Sequence, residues 1–262
     1  MIGFIGGGNM AEAMIKGMTA KGMKDIYVSE PREDRRHELA TAYGVRTTSS
    51  NKKVVSACDV LMLAVKPQIM GKVLDEISSG ITEEKLVVSI AAGITLAYLE
   101  SRLNTKLLIR VMPNTPALVQ EGMSVMSLCG SFHGSGVDTV QAILTSIGRV
   151  IVLPEELMDA VTALSGSGPA FFALFVEAMI QAGEKMGLSV KDATALVVQT
   201  MLGTVRLLET GMSPEKLRKM VTSPGGTTEA GLKVFEEMAL RQAVNKSLLA
   251  AKKRSAELGR SQ

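Results

Sequence analysis

The segment GFIGGGNMAEAM, residues 3–14, begins as an apolar run, passes through a row of glycines and continues as a helix-forming stretch. Gly6, Gly8 and Ala11 fit the pattern G-x-G-x-x-A. Between a strand and a helix, that pattern predicts a tight turn at the first glycine, a pyrophosphate close to the second, and close helix–strand packing at the third position. The segment therefore predicts the opening strand–turn–helix unit of a dinucleotide-binding domain.

The chain downstream continues this alternation of apolar runs and helix-like segments. The pattern predicts strands at 2–6, 26–30, 44–48, 59–65, 85–91 and 106–112, and helices at 9–21, 32–43, 68–77 and 95–103. Unbroken apolar strands joined by helices are typical of a parallel sheet covered on both faces. We therefore expect an α/β fold in which residues 1–154 form a doubly wound, Rossmann-type domain.

The pattern changes at about residue 155, where strand-like runs stop and apolar residues recur at helical spacing. Helices are predicted at 157–186, 190–210, 213–221, 228–238 and 239–258. Residues 155–262 are therefore expected to form an all-helical second domain.

Composition narrows the classes of function. The 262 residues carry a net charge of only +3, which gives no electrostatic reason to expect a nucleic-acid partner. No uninterrupted apolar run reaches the roughly 18 residues of a membrane span, so no membrane partner is expected. Cys58 and Cys129 are the only cysteines and no signal segment is recognisable, which indicates the cytoplasm. Neither His37 nor His133 has ligand-type neighbours, so no metal is expected.

The end of the second predicted strand, in VSEPREDRR, is where the ribose 2′ group of a dinucleotide would lie. Glu30 suits the 2′-hydroxyl of NADH. Ser29, Arg32, Arg35 and Arg36 could instead accommodate the 2′-phosphate of NADPH, although individual arginines there could equally be surface residues. The sequence is compatible with either NADH or NADPH as the cofactor.

Three further runs follow the predicted strands four to six: AVKP (64–67), AAGIT (91–95) and MPNTPALVQEG (112–122). Ligands of open α/β sheets bind at the carboxyl ends of the strands. Any one of these runs could be an ordinary turn, but three at one edge favour a wall for the nicotinamide and the substrate.

The run SPGGTT (223–228) interrupts a long helical stretch, where Gly costs about 1 kcal/mol and Pro about 3 kcal/mol. Its residues alone allow two interpretations. It is either a helix–helix corner with Thr as a cap, or an anion site made by the free N–H groups of the next helix.

Taken together, the motifs resemble the pyrroline-5-carboxylate reductase family along essentially the whole chain. The matching runs are GFIGGGNMAEA, LAVKPQ, AAGIT, MPNTPALVQEG, MDAVTALSGSGPAF and VTSPGGTT. The resemblance implies reduction of L-1-pyrroline-5-carboxylate to L-proline with NADPH or NADH. It also implies a homodimer with interlocking helical domains, often assembled into a ring of dimers such as a decamer.

Position by position, the resemblance implies cofactor contacts at Ile5, Gly6, Gly7, Gly8, Asn9, Met10, Asn51, Ala64, Val65, Lys66, Pro67, Ile90, Ala91 and Ala92. It implies substrate contacts at Ser223, Gly225, Gly226, Thr227 and Thr228. Two departures stand out. Glu30 replaces the small polar group that relatives often have at the ribose, and Lys219 and Met220 replace an often acidic residue.

The implied chemistry suits the residues that are present. An imine that arrives protonated accepts hydride without a strong enzyme acid, and the sequence shows no His, Cys or Lys group arranged for acid–base work. The substrate carboxylate would bind backbone N–H groups after the glycines. Thr228 would then be the catalytic residue, hydrogen-bonding the ring nitrogen, while Ser223 and Thr227 would assist the carboxylate or cap the helix.

The run LSGSGPAF (164–171) is expected to place Ser165 to Gly168 near the nicotinamide, and Phe171, Phe172 and Phe175 in the dimer core. One rival is a hydroxyacid dehydrogenase of the 6-phosphogluconate type, which needs a lysine where this chain has Phe172. A second rival, a non-catalytic nicotinamide-sensing protein, would have no use for SPGGTT.

Overall fold

The computed structural model describes residues 1–130 and 134–260, so His133 lies outside the described residues. The strands in this part of the chain are β1 (Ile2–Ile5), β2 (Ile26–Ser29), β3 (Arg46–Thr48), β4 (Val60–Leu63), β5 (Leu86–Ser89), β6 (Leu108–Met112), β7 (Gly122–Leu128) and β8 (Gly148–Val152). The helices are α1 (Asn9–Ala20), α2 (Glu33–Tyr43), α3 (Asn51–Ala57), α4 (Pro67–Ile77), α5 (Leu96–Arg102), α6 (Ser135–Thr145), α7 (Met158–Val161), α8 (Gly168–Lys185), α9 (Val190–Glu209), α10 (Pro214–Met220), α11 (Thr227–Glu237) and α12 (Leu240–Arg260).

All eight of these strands form one sheet in the order β3-β2-β1-β4-β5-β6-β7-β8. The strands β1 to β6 are parallel, and their order is that of a doubly wound dinucleotide-binding sheet. The predicted Rossmann-type fold is therefore confirmed.

The sheet continues beyond the six predicted strands with β7, which pairs antiparallel with β6. The connection between them, residues 113–121, is shorter than the dozen or more residues that a parallel crossover usually needs. The strand therefore folds back beside its predecessor. The crossover through α6 then makes β8 parallel to β7. Neither of these strands was predicted, nor were α3 and α6.

Both faces of the sheet are buried because successive residues of each strand point to opposite sides. On one face Phe4 lies in the same fully buried cluster as Met14 of α1. On the other face Ile5 shares a cluster with Leu74 of α4. Each such side chain contributes about 1.5–3 kcal/mol by leaving water. The helices on both faces thus stabilise the sheet and keep the ends of its strands in fixed positions.

The chain divides into two compact units, one of Met1–Ser167 with Ala250–Gln262 and one of Gly168–Leu249. Within the first unit the Ser255 hydroxyl at the end of α12 donates to Asp159 Oδ1 at 2.7 Å. The sequence-based boundary at residues 154/155 stays a prediction.

The second unit is helical, as predicted, and has almost no core of its own. In residues 168–249, all of which the structure describes, only Gly168, Gly183, Ala193 and Leu217 are buried. Large apolar side chains are instead exposed, among them Phe172 at 61%. An exposed apolar surface of this extent indicates an interface that a binding partner covers.

One stretch in the described residues, Glu155–Lys185, is long and apolar enough to cross a membrane by length and composition. The sequence-based reasoning counted only uninterrupted apolar runs and did not detect it. Most of the stretch is exposed. Either lipid or a protein surface could cover it, and length and composition alone do not choose between them.

Candidate functional site

The glycine turn after β1 has the geometry of an anion cradle. Gly6 has φ +98°, and a Cβ there would lie 2.6 Å from the carbonyl oxygen of Ala64, so only glycine fits. A Cβ added at Gly8 would meet nothing within 4 Å, which leaves open space above the turn. Among the described residues, the backbone N–H groups of Gly8, Asn9 and Met10 have no hydrogen-bond partner. Free donors at a helix N-terminus suit a pyrophosphate.

The peptide groups of Gly7 are held from both sides. Its N–H donates to Glu30 Oε2 at 3.0 Å, and its carbonyl oxygen accepts from Arg35 Nε at 2.8 Å. Arg35 also donates to Glu12 Oε2 at 2.5 Å, and the Tyr43 hydroxyl donates to Glu12 Oε1 at 2.9 Å. This network supports the glycine turn, and no sequence motif indicates it because its members lie on separate elements.

The same network shifts two pKa values. The hydrogen bond from Arg35 lowers the pKa of Glu12 from its ordinary value. Burial, and then the hydrogen bond to Glu12, raises the pKa of Tyr43. Arg35 was one of the arginines considered for a 2′-phosphate. Its guanidinium is bonded to the Gly7 carbonyl oxygen and to the carboxylates of Glu12 and Glu38.

Glu30 directly follows β2 and is 8% exposed. Its second oxygen, Oε1, accepts from the Arg32 backbone N–H at 3.2 Å. The Arg36 guanidinium donates to the carbonyl oxygens of Glu30 and Pro31 at 2.9 and 2.7 Å. The guanidinium groups of Arg35 and Arg36, both considered for a 2′-phosphate, are therefore bonded within the chain.

A second series of hydrogen bonds lies along the same edge of the sheet. The Ser29 hydroxyl donates to Asn51 Oδ1 at 2.6 Å, and Asn51 Nδ2 donates to Glu76 Oε2 at 2.9 Å. The predicted cofactor residues Ser29 and Asn51 are thus in direct contact. Glu76 on α4 was not predicted, and its link to Asn51 spans 25 residues of sequence.

The other predicted cofactor residues lie at the same edge of the sheet. Residues 64–67 follow β4 and end at Pro67, the first residue of α4. Residues 90–92 follow β5, where Ile90 and Ala92 are half-buried and Ala91 is buried. Because β1, β4 and β5 are parallel neighbours, the fold brings these two runs beside the glycine turn.

Asn114 joins two of the runs singled out in the sequence. Its side chain donates to the carbonyl oxygen and hydroxyl of Ser165 at 3.2 and 3.3 Å, and accepts from the Met123 N–H at 2.8 Å. The segment Thr162–Gly166 is a π-helical turn, closed by a 2.8 Å bond from the Ser167 N–H to the Thr162 carbonyl oxygen. Such turns are rare and frequent at functional sites.

The predicted substrate residues lie in the second unit, in the corner of residues 223–228 between α10 and α11. Gly225 has φ +69°, and its N–H donates to Glu229 Oε2 at 2.7 Å. The N–H of Gly226 donates to the Ser223 carbonyl oxygen at 3.0 Å. These two glycine donors are therefore already bonded.

Free backbone donors of this corner follow these two glycines in the sequence. In the part of the chain that the structure describes, the N–H groups of Thr227, Thr228 and Glu229 have no hydrogen-bond partner, and neither has the Thr228 hydroxyl. Gly226 is the N-cap of α11 and no side chain caps the helix. The expectation that Ser223 or Thr227 could cap it is wrong. Three adjacent free donors at a helix start suit a carboxylate.

Neither cysteine is activated for nucleophilic or acid–base work. Cys58 is buried and Cys129 half-buried, and burial raises the pKa of each thiol, so neither is an activated nucleophile. His37 is exposed on α2. Among residues 1–130 and 134–260, no group of three or more His, Cys, Asp or Glu side chains could hold a metal ion.

Comparison with protein families identifies relatives for both halves of the chain. Residues 155–258 match the model described as pyrroline-5-carboxylate reductase dimerisation. Residues 1–93 match the model described as NADP oxidoreductase, coenzyme F420-dependent.

Curated and solved relatives extend over the whole chain. The pyrroline-5-carboxylate reductase of Synechocystis sp. is 41% identical over 99% of this chain and 98% of its own length. The solved enzyme of that name from Coxiella burnetii is 38% identical, covers 98% of this chain and 97% of its own, and superposes with a TM-score of 0.91. The pyrroline carboxylate reductase of Plasmodium falciparum, solved with NADP bound, is 32% identical with the same coverage and a TM-score of 0.89.

Proposed function

The chain belongs to the pyrroline-5-carboxylate reductase family, and we propose how its residues carry out that reduction of L-1-pyrroline-5-carboxylate to L-proline with NAD(P)H. The observation that carries the proposal is the pair of donor sites with no partner in the described residues. One is the glycine turn at Gly8, Asn9 and Met10, and the other is the start of α11 at Thr227 and Thr228.

The first site holds the cofactor. The N–H groups after Gly7 bind the pyrophosphate, and Glu30 and Arg35 keep the turn in the shape that this requires. The runs 64–67 and 90–92 line the edge of the sheet where a nicotinamide lies in open α/β sheets. When bound, the reduced nicotinamide supplies the hydride that the imine carbon accepts.

The second site holds the substrate. The N–H groups of Thr227, Thr228 and Glu229 bind its carboxylate, and the dipole of α11 adds to that attraction. The Thr228 hydroxyl hydrogen-bonds the ring nitrogen of the imine. Gly225 and Gly226 shape the corner rather than donate from their own N–H groups, because these groups are held by Glu229 and by the Ser223 carbonyl oxygen.

The chemistry needs no stronger acid than this. The protonated imine already carries the proton that the product amine keeps, so hydride addition at carbon completes the reaction without a proton from the enzyme. Catalysis then depends on the distance and orientation of donor and acceptor, for which contact distances of about 3–3.5 Å are needed. Such a reaction needs no activated thiol, which agrees with the raised pKa values of the two cysteines.

The second unit also forms the dimer interface. Its exposed apolar faces are covered by a second copy of the chain, as expected from the match of residues 155–258 to a dimerisation domain. This cover also accounts for the apolar stretch Glu155–Lys185 without a membrane. We further propose that the dimers assemble into a decamer and that the enzyme works in the cytoplasm with its cysteines as free thiols.

A direct test compares the wild type with Thr228→Ala. The loss of reduced-nicotinamide absorbance is followed with pyrroline-5-carboxylate as substrate. The variant should lose about tenfold or more in kcat/KM, the factor that one hydrogen bond to a charged group represents. Thr145→Ala, at an exposed threonine of α6, serves as the matched control and should behave as wild type. Full activity of Thr228→Ala would remove the assigned role.

A further inference from the structure

The carboxylate of Glu30, which bears on cofactor preference, is held in place by the backbone. Both oxygens of the Glu30 carboxylate are held by backbone donors, Oε2 by Gly7 at 3.0 Å and Oε1 by Arg32 at 3.2 Å. The side chain is 11% exposed. A 2′-phosphate beside Glu30 is tolerable only if the carboxylate turns away, and turning away would break both bonds and leave the Gly7 N–H unpaired.

Most of the groups that could offset the carboxylate already have partners within the chain. Arg35 Nε is bonded to the Gly7 carbonyl oxygen, and Arg36 to the carbonyl oxygens of Glu30 and Pro31. The Ser29 hydroxyl donates to Asn51. Arg32 remains at the surface with its side chain 62% exposed, and it pairs with Glu30 at 3.5 Å and with Asp34 at 3.7 Å.

We propose that Glu30, held by Gly7 and Arg32, makes this chain prefer NADH to NADPH. A carboxylate in that place accepts a hydrogen bond from the ribose 2′-hydroxyl, whereas it repels a 2′-phosphate. NADPH still binds through its pyrophosphate and nicotinamide, but less tightly. The preference belongs to this chain's own residues, and it does not depend on which imine the enzyme reduces.

The test measures cofactor binding to the full-length protein without any imine. Dissociation constants for NADH and NADPH are obtained from cofactor fluorescence for the wild type and for Glu30→Gln. Glutamine keeps an oxygen acceptor for the Gly7 N–H and removes the negative charge. The wild type should bind NADH more tightly. In the variant, the ratio of the NADPH to the NADH dissociation constant should fall by about ten- to hundredfold, mainly through tighter NADPH binding.

Glu33→Gln is the matched control because it removes an exposed carboxylate from the first turn of α2. It should leave the ratio unchanged. If Glu30 only supports the glycine turn, Glu30→Gln will weaken both cofactors equally and the ratio will not move. That result would overturn the proposal, as would tighter binding of NADPH by the wild type. If Glu30→Gln does not fold, Glu30→Asn provides the same comparison of ratios. Failure of imine reduction would leave these binding results intact.

Discussion

Asn114 and Ser165 are joined through the Asn114 side-chain amide, which donates to the Ser165 carbonyl oxygen at 3.2 Å and to its hydroxyl at 3.3 Å. The contact ties the turn after β6 to the π-helical turn Thr162–Gly166. A Cβ added at Gly166 would meet the end of the Met112 side chain, so the π-helical turn packs closely against the last residue of β6. The runs MPNTP and LSGSG, far apart in sequence, thus form one wall at the end of the sheet.

Asn114→Ala is expected to loosen that wall. The substitution leaves the Met123 N–H and the Ser165 carbonyl oxygen unpaired, which costs about 1–3 kcal/mol. The thermal midpoint should fall, and the KM for the cofactor should rise. Asn114→Asp keeps the acceptor for Met123 and should lose less. Asn104→Ala, at an exposed turn, is the control. A thermal midpoint equal to that of the wild type would show that the contact does not stabilise the fold.

The fold was predictable as far as β6 because most of those strands are apolar runs and the glycine turn identifies the first strand–turn–helix unit. Strand β7, GMSVMSL, was not predicted because it places serines inside the sheet. Ser124 and Ser127 are each 1% exposed, and the Ser127 hydroxyl donates to the Leu153 carbonyl oxygen at 2.6 Å. Buried polar residues with a partner elsewhere in the chain remove the apolar signal on which such predictions depend.

The site was predictable where residues sit in a short motif and not where contacts are made across elements. The glycine turn and the corner at 223–228 each lie within one run of sequence. The support of Gly7 by Glu12, Arg35 and Tyr43 joins α1 to α2 and depends on geometry that no spacing reveals. The bond from the Gly225 N–H to Glu229 is likewise not indicated by any motif, although the two residues are only four positions apart.

Glu12→Gln should make stability less dependent on pH. The Arg35 hydrogen bond lowers the pKa of Glu12 below its ordinary value of 4.5. A lowered folded-state pKa means that the stabilisation is present above the unfolded value and is lost as the pH falls through the folded value. At pH 7 the variant should therefore melt about 2–4 °C below the wild type, and the difference should shrink towards pH 3. Glu33→Gln is the control, and a gap that widens in acid would contradict the assignment.

Gly225→Ala should impair substrate binding more than stability. Gly225 has φ +69° with nothing within 4 Å of an added Cβ, so alanine meets only backbone strain of about 1–2 kcal/mol. Gly22 is a matched control, with φ +81° and equally open space in a turn after α1. Both variants should lose similar stability, but only Gly225→Ala should raise the KM for the imine. Equal KM values in the two variants would place the substrate elsewhere.

Phe172→Glu should dissociate the dimer. Phe172 is 61% exposed on α8, inside the segment matched to a dimerisation domain, and each copy of a symmetric dimer contributes the same residue. A charge at a buried interface position costs about 2 kcal/mol or more per copy, so self-association should weaken by about a thousandfold. Sedimentation or light scattering measures the mass. Phe172→Leu, which keeps an apolar side chain, should remain dimeric. A Phe172→Glu protein that is still dimeric at micromolar concentration would place the interface on another face of the helices.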